Sequence, residues 1–379
     1  MNGPSGYALR ITDYGLESMS KSIRIDLDER GYEIHIGEGL LGNAGELISQ
    51  ASKGKAAAIV TNRRVGDLYA GRLLESLKQA GITANVITIP TGERFKTLRT
   101  VGYVYEKLLD QRLDRAGMVI GLGGGVVGDL TGFAAATYLR GVDFIQIPTS
   151  LLAQVDASVG GKTGVNLPRG KNLVGAFYQP KTVIIDVSVL RSLPSREFRS
   201  GLAEVIKHGI IRDRKYFDFL EANLPAIKRL EPSILEQAIA GSCEIKADVV
   251  RQDEREAGLR RILNYGHTVA HAVETLTGYG QIRHGEAVSI GMVTAALAAP
   301  NPEADLAPKI IGLLKAAGLP IKLPEGLSHE RIVAAMGLDK KVAHGRLHAV
   351  LVNEIGKAFV SDQVTPDIWK KALQEQSEQ

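Results

Sequence analysis

Cysteine is nearly missing from this chain: Cys243 is the only one in 379 residues. No intrachain disulfide can form, and a reducing compartment, the cytoplasm, is the expected location. Long apolar runs are missing too. No stretch approaches the roughly 18 residues that a membrane-spanning helix needs, so no membrane partner is expected. Residues 1–20 have neither the apolar core of a secretory signal nor a basic amphipathic pattern. They carry Gly and Ser without a clear period and read as a loose tail. There is no strong excess of one charge. Lys and Arg number 46 against 42 Asp and Glu, a net +4. That balance gives no support to a nucleic-acid partner, for which a basic face is expected. Internal repeats and low-complexity segments are also absent.

What is present is ordinary for a folded chain, with 44% hydrophobic and 23% charged residues. A prior of about 150 residues per domain suggests two or three domains. From Lys21 the segments SIRIDL and YEIHIG alternate apolar and polar residues, as half-buried strands do, around a turn at Glu29-Arg30-Gly31. The apolar runs at 56–61, 85–90, 143–149 and 182–187, and AGMVIGLGG running into a glycine turn, predict further strands. Helical periodicity falls between them, over 68–81, 98–111 and the stretch GDLTGFAAATYL. This alternation predicts an α/β region over 21–195 with a mainly parallel sheet covered by helices. After Leu193-Pro194 the pattern turns helical, which predicts an α-helical region over 196–379. A small hairpin is expected in HAVLVNEIGKAFV.

Gly123, Gly125 and Gly128 fit G-x-G-x-x-G, between an apolar strand and a helix. Glycine lets the backbone turn tightly, and the amide groups of a helix N-terminus can meet a pyrophosphate. Glycine turns after strands are common, so this signal alone is weak. Asp129 either touches a nucleotide or favours the helix start. Upstream, Thr91, Gly92, Glu93, Arg94, Phe95 and Lys96 follow a strand. Glu93 could accept from ribose hydroxyls and Lys96 could reach a phosphate; a solvated loop explains the same residues.

Glu204 lies in GLAEVIKHG, His267 and His271 in NYGHTVAH, and His284 in RHGEA. Residues four apart share a helix face, so spacing alone nominates both His267 and His271 as metal ligands. With a third ligand from elsewhere they could hold Zn²⁺ and leave an open position. Any one histidine is more often a helix cap or a core hydrogen bonder. The clustering with Gly266, Gly285 and Glu204 favours a metal.

The stretch DASVGGKTGVNLPRGKN (156–172) reads as a glycine-rich loop carrying Lys162, Arg169, Lys171, Asn166 and Asn172. Glycines let backbone wrap a small ligand, and the amines and amides offer donors to anionic and hydroxylated groups. Arg140 precedes Gly141 at a helix end. Lys207 stands three residues after Glu204, and Lys246, Arg260 and Asn264 lead up to His267. Together these imply a small, anionic, polyhydroxylated substrate such as a sugar acid or sugar phosphate.

Taken together, GGGVVGDLTGFAAATYLRG, IPTSLLAQVDASVGGKTGVNLPRGKNLVGAFYQP, GLAEVIKHG, GLRRILNYGHTVAHAVE and HGEAVSIGM strongly resemble the 3-dehydroquinate synthase family. The resemblance covers roughly residues 21 to 360, in the right order. It implies a metal, zinc or cobalt, at Glu204, His267 and His284, with His271 contacting substrate or moving a proton instead. It implies NAD along Thr91–Lys96, on Gly125, Val126, Val127, Gly128 and Asp129, on Thr149 and Ser150, and on Val189, Leu190, Arg191 and Ser192, with Lys162 and Lys171 close by. Asp156, Lys162, Asn172, Lys207, Lys246, Arg260, Asn264 and His271 match the substrate pocket. Arg140 matches a phosphate contact reaching across a homodimer. Lys340 or Lys341 matches another basic contact. Ser150 stands where the family often has threonine, and it keeps the hydroxyl.

The resemblance implies conversion of 3-deoxy-D-arabino-heptulosonate 7-phosphate to 3-dehydroquinate and phosphate, the second step of the shikimate pathway. NAD oxidises C5, phosphate leaves by β-elimination, hydride returns, and ring opening and aldol closure follow. The net reaction is that of a lyase. Three other readings compete: a sugar phosphate cyclase acting on sedoheptulose 7-phosphate or glucose 6-phosphate, a metal-dependent alcohol dehydrogenase, and a non-catalytic NAD sensor. Asn264, Arg260 and His271 favour the first reading over the cyclase. The number of cations disfavours the dehydrogenase, and the complete metal triad disfavours the sensor.

Overall fold

The computed structural model describes residues 20–278, 280–337, 342–343 and 346–379. The tail expected over residues 1–20, apart from Ser20, lies outside the described residues, as do Lys340 and Lys341.

Seven strands form one sheet: β1 (Ser20–Ile25), β2 (Tyr32–Gly37), β3 (Ala56–Asn62), β4 (Thr83–Ile89), β5 (Met118–Gly123), β6 (Asp143–Pro148) and the last strand, Thr182–Asp186. A hairpin, β7 (Lys162–Leu167) with β8 (Gly170–Phe177), precedes that last strand, which is therefore β9. The sheet order is β1-β2-β9-β6-β5-β3-β4, and every pairing is parallel except β1 with β2. Buried on both faces, β3, β5, β6 and β9 are nearly continuous apolar runs, as parallel strands must be. The antiparallel β1–β2 pair instead alternates. Ile34 and Ile36 point into the core while Glu33 does not.

Helices cover the sheet. In the first half these are α1 (Ala44–Ala51), the single turn α2 (Arg63–Val65), α3 (Gly71–Gln79), α4 (Leu98–Asp110) and α5 (Gly125–Thr137). α1 and α3 pack one face of the central strands, while α4 and α5 pack the other. α3 ends as its sequence suggests: Gly81 takes φ 71° just past the C-cap, a conformation that glycine adopts without strain. α5 begins three residues before the GDLTGF stretch, at Gly125, because Gly124 is already its N-cap.

The second half is helical: α6 (Ser195–Arg212), α7 (Arg214–Lys228), α8 (Pro232–Gln252), α9 (His267–Thr277), α10 (His284–Leu297), α11 (Leu306–Ala316), α12 (His329–Gly337) and α13 (Pro366–Glu378). Its apolar faces continue into the β1, β2 and β9 side of the sheet as one hydrophobic cluster. The expected small hairpin is present, Ala349–Val352 pairing antiparallel with Ala358–Ser361.

One local expectation is corrected. The stretch read as a glycine-rich loop over 156–172 is mostly the β7–β8 hairpin. Gly164 in that stretch and Gly175 beyond it serve the strand pair rather than a free loop. A Cβ at Gly175 would overlap the Thr163 carbonyl oxygen, and one at Gly164 would lie 2.6 Å from the Val174 carbonyl oxygen. With glycine at these positions the apolar alternation is diluted, which is why a strand was not legible there.

Cys243 sits on α8 and is fully buried. Burial pushes its thiol up to about 12, so almost no thiolate, the reactive form, exists at neutral pH. A thiol-reactive chromogenic disulfide is therefore expected to label the native chain negligibly and to label one equivalent after denaturation. Stoichiometric labelling of the folded chain within minutes would contradict this packing.

Candidate active site

Glu204 is the centre of the site. It lies on α6 with no exposed surface, and neither of its carboxylate oxygens accepts a hydrogen bond. Lys207, one turn on and also buried, makes an ion pair with Oε2. On the other oxygen, Oε1, two histidines converge. His267 Nε2 lies 3.7 Å away and His284 Nε2 3.6 Å away. One donor atom from each of Glu204, His267 and His284 lies within 4.8 Å of the other two. A buried oxygen without a hydrogen bond, faced by two imidazole nitrogens, fits a tetrahedral N/O cation site with room for one more ligand.

Backbone geometry brings these three together. His267 opens α9 and His284 opens α10. Gly266, the N-cap of α9, adopts φ 78°, and its carbonyl oxygen occupies the space that a Cβ on Gly291 of α10 would need. Gly285, beside His284, lies against the Ser200 carbonyl oxygen of α6, where a Cβ would overlap it. These close approaches set the His284 helix end against the helix that carries Glu204. His267 Nδ1 lies 3.1 Å from the Tyr265 carbonyl oxygen, which fixes the ring with Nε2 toward Glu204.

His271 is on the next turn of α9, with its ring 5.7 Å from that of His267. It does not join the three-ligand cluster. The structure thus favours the ligand set implied by the resemblance over the one nominated by spacing. The i, i+4 rule places two side chains on one face. It does not say which of them meets a third residue on another helix.

Behind the cluster lies a layer of buried charge. Lys246 ion-pairs with Asp156 and also donates to its carbonyl oxygen. Burial alone would raise the Asp156 carboxyl, but Lys246 and Lys207 beside it hold it well below the ordinary carboxylate range. Burial lowers Lys246 despite its pairing with Asp156. Arg260 is buried and donates to the carbonyl oxygens of Glu254 and, at 3.2 Å, Gly160. Lys162 pairs with Glu256, whose Oε1 also accepts from Asn264 Nδ2 at 2.8 Å.

A cleft of about 1420 Å³ joins Asp156, Lys162, Glu256 and Asn264 to the glycine turn. Its wall includes Gly125, Val126, Val127 and Asp129 at the start of α5, then Thr149, Ser150 and Ser192. Thr91, Gly92, Glu93 and Lys96 line it, as do Asp156, Lys162, Lys171 and Asn172 of the hairpin side and Asn264, His271 and His284 of the helical side. Lys96 is less open than its sequence context suggests. It ion-pairs with Asp129 and donates to Asn172 Oδ1 at 2.6 Å. Burial raises the Asp129 carboxyl even with Lys96 beside it. Glu93 accepts from Asn166 Nδ2 at 2.7 Å. Thus the loop over 91–96, the start of α5 and the hairpin form one hydrogen-bonded wall.

Other expected site residues stand apart from the cleft. Val189 and Leu190 are buried in the core, and Arg191 donates to Glu38 at 2.6 Å. Arg94 lies over the Phe95 ring. Gly128 faces Gln146. Arg140 is exposed beyond the far end of α5 at φ 69°.

Three residues of the site escaped the sequence reading. His208, four residues after Glu204, donates to or accepts from Ser242 Oγ at 2.6 Å through Nδ1, and burial depresses its basicity strongly. Glu256 sits at φ 61° in an irregular loop, which no periodicity reveals. Glu274 lies 3.6 Å from His284 Nδ1. Burial would raise its carboxyl, but His284 and Lys171 outweigh that and bring it down to about 2. Its spacing of three from His271 and seven from His267 was the available signal.

Fold and site together define an α/β enzyme in which an open helix end and one edge of a three-residue cation cluster, His284, line one cleft. Comparisons narrow this class. Residues 86–200 match the family described as 3-dehydroquinate synthase N-terminal, and residues 201–342 match 3-dehydroquinate synthase C-terminal. A 3-dehydroquinate synthase of Synechococcus sp. is 50% identical over 363 residues, covering 94% of this chain and 99% of the relative. One of Desulforamulus reducens is 51% identical over 347 residues, covering 90% and 96%. Among solved structures, 2-epi-5-epi-valiolone synthase from Streptomyces hygroscopicus, with NAD⁺ and Zn²⁺ bound, superimposes with a TM-score of 0.85 at 27% identity, covering 93% of this chain and 98% of the other. A 2-deoxy-scyllo-inosose synthase complexed with carbaglucose-6-phosphate, NAD⁺ and Co²⁺ gives 0.82 at 27%, covering 93% and 99%. The chain belongs to the 3-dehydroquinate synthase family.

The contact at Gly285 gives a sharp test. Gly285→Ala is expected to lower stability by about 1–3 kcal/mol through overpacking and to weaken divalent-metal binding by displacing His284. Gly312→Ala, on α11 with nothing near its added Cβ, should instead be neutral or stabilising by up to about 1 kcal/mol. Chemical denaturation and metal titration of both variants check the contrast.

Proposed function

We propose that this chain is a phosphate-eliminating lyase that converts 3-deoxy-D-arabino-heptulosonate 7-phosphate to 3-dehydroquinate and phosphate, within aromatic amino-acid biosynthesis. One observation carries the reading: the open start of α5, His284 of the Glu204–His267–His284 cluster, and Lys162, Lys171 and Asp156, the partner of buried Lys246, line a single cleft. The roles follow from their chemistry. Glu204, His267 and His284 would hold a divalent cation, zinc or cobalt. The amide end of α5 at Gly125–Val127, with Thr149, Ser150 and the 91–96 loop, would take the pyrophosphate and ribose of NAD. When bound, NAD supplies a hydride acceptor that is restored in each turnover, and the metal supplies Lewis acidity at the hydroxyl being oxidised.

The chain's own residues do the rest. Lys162, Lys246 and Arg260 offer charge to the substrate's phosphate and carboxylate. Asn172 and Asn264 orient hydroxyls, and His271, at the cleft wall beside the cluster, is placed to move a proton. Asp156 holds Lys246 in position. Lys207, paired to Glu204, keeps a donor beside the reacting centre. The identity near 50% to curated 3-dehydroquinate synthases, against 27% to the other cyclases, supports this substrate over the rival sugar phosphates. The dehydrogenase reading has support only in fold, at 15% identity to a probable glycerol dehydrogenase.

Three further parts belong to the same proposal. The division near residue 195 separates a nucleotide-binding part from a metal- and substrate-binding part. A homodimer would bring the exposed Arg140 toward a partner's substrate. The cytoplasm is the compartment that suits a single buried thiol; among the described residues no helix is long and apolar enough to cross a membrane.

With NAD and a divalent metal, the purified chain is expected to release phosphate from the heptulosonate phosphate without net accumulation of NADH. Release from sedoheptulose 7-phosphate instead would move the reading to the rival cyclase, and stoichiometric NADH would move it to a dehydrogenase. His284→Ala should remain folded yet lose turnover by more than the ~10–100-fold that loss of an outer partner costs. Full activity of the unmodified chain in metal-depleted buffer would contradict the metal assignment.

A further inference from the structure

The mechanism just given leaves one buried acid of the cleft without a task. Glu274 lies on α9, the helix that begins with His267, and is buried. Its Oε1 stands 3.6 Å from His284 Nδ1 and 3.4 Å from Lys171 Nζ. At the opposite edge of the same imidazole, His284 Nε2 stands 3.6 Å from Glu204 Oε1. The His284 ring is therefore held between two carboxylates, one at each nitrogen. A neutral imidazole carries a single N–H. With that proton on Nδ1, directed at Glu274, the Nε2 lone pair is left facing Glu204 and His267. Metal-binding histidines commonly donate their second N–H to a carboxylate, which selects the tautomer and strengthens the ligand. Glu274 has the burial, the side and the element for this role. It is also tied through Lys171 to β8, so the same oxygen connects the helical wall of the cleft to the hairpin wall.

We propose that Glu274 is a positioning residue, which orients His284 through Nδ1 and so presents Nε2 to a divalent cation. The proposal rests on the reading of Glu204, His267 and His284 as the cation site. Glu274 touches neither the cation nor the substrate in this role; it acts through the ring it holds. A carboxylate that merely balanced the Lys171 charge would leave the affinity and ligand field of the cation unchanged, and that difference is measurable.

The test uses the full chain as Glu274→Ala, Glu274→Gln and His284→Ala, stripped of metal and titrated with Co²⁺ against a chromophoric chelator. The visible absorption of the bound Co²⁺ is recorded alongside. Glu274→Ala should weaken Co²⁺ binding by about 10–100-fold and alter the visible band. Glu274→Gln keeps an acceptor oxygen near Nδ1 without the charge, so its loss should fall between that of the wild type and that of Glu274→Ala. Thermal unfolding without metal establishes that the variants are folded. Where Glu274→Ala fails to fold, the near-isosteric Glu274→Gln carries the test alone. Undiminished Co²⁺ affinity and an unchanged spectrum in the folded Glu274 variants, beside a weakened His284→Ala, would overturn this inference and leave the cation site standing. Undiminished binding by His284→Ala would overturn the cation site and this inference with it.

Discussion

A carboxylate taken out of water costs several kcal/mol unless its surroundings replace the lost hydration. Glu204 has no exposed surface and no hydrogen bond to either oxygen. Lys207 answers one oxygen, while the other faces the two imidazole edges of His267 and His284. Much of the second half of the chain can be understood as the means of keeping that oxygen in company. α6 carries the acid, α9 and α10 each begin on a histidine, and glycines at 266, 285 and 291 let their backbones approach closely enough for the rings to arrive. A core made for stability alone would place an apolar side chain at this position. The retention of an acid there makes sense when a cation completes its coordination.

The same constraint explains the charges behind it. Lys207, Lys246 and Arg260 are all buried, and cations so close together repel. Asp156 offsets part of that repulsion through Lys246, and backbone carbonyls take up Arg260. These cations stand behind the cleft wall, where their remaining positive potential would act on an anionic substrate through a low-dielectric layer. A phosphorylated sugar acid, with charge at both ends and hydroxyls between, matches this demand better than an uncharged polyol. The hairpin contributes from the other side, with Lys162 and Asn172 held by Glu256 and Lys96.

How much of this was legible in the sequence depends on whether a signal is local. The parallel strands announced themselves as apolar runs, and α3, α4, α8 and α9 as helical periods, because burial on one face leaves a pattern in neighbouring residues. Gly125 and Gly81 were readable for the same reason. The β7–β8 hairpin was not, since glycines required by close strand approach removed the apolar alternation that marks a strand. The three-residue cluster was only half legible from spacing. His267 and His271 share a helix face, but the partner that joins His267 is His284, on another helix, and that pairing is made by the crossing of α9 and α10. Glu256 was invisible because its backbone is held at positive φ in an irregular loop. The resemblance supplied the grouping that the structure brings together because it encodes tertiary contacts that no single helix period contains.

The glycine turn shows the limit of a motif most clearly. Gly123, Gly125 and Gly128 would suit many enzymes that bind a dinucleotide, including those that release reduced cofactor. What distinguishes this cleft is what faces the turn. The start of α5 and the hairpin, tied through Lys96, Asp129 and Asn172, form one wall, and His271, His284 and Asn264 form the other. A hydride acceptor seated on the first wall would lie in the same enclosure as His284 of the cation cluster, Lys162 and Lys171, with the buried cations behind that wall. An enzyme that only oxidises an alcohol has no need of so many buried cations, because its product carries no leaving anion. An enzyme that borrows a hydride in order to expel phosphate does need them, both to hold the anion while it is attached and to receive it when the bond breaks. The cation layer, more than the glycine turn, is therefore the feature that separates a cyclising lyase from a dehydrogenase built on the same fold.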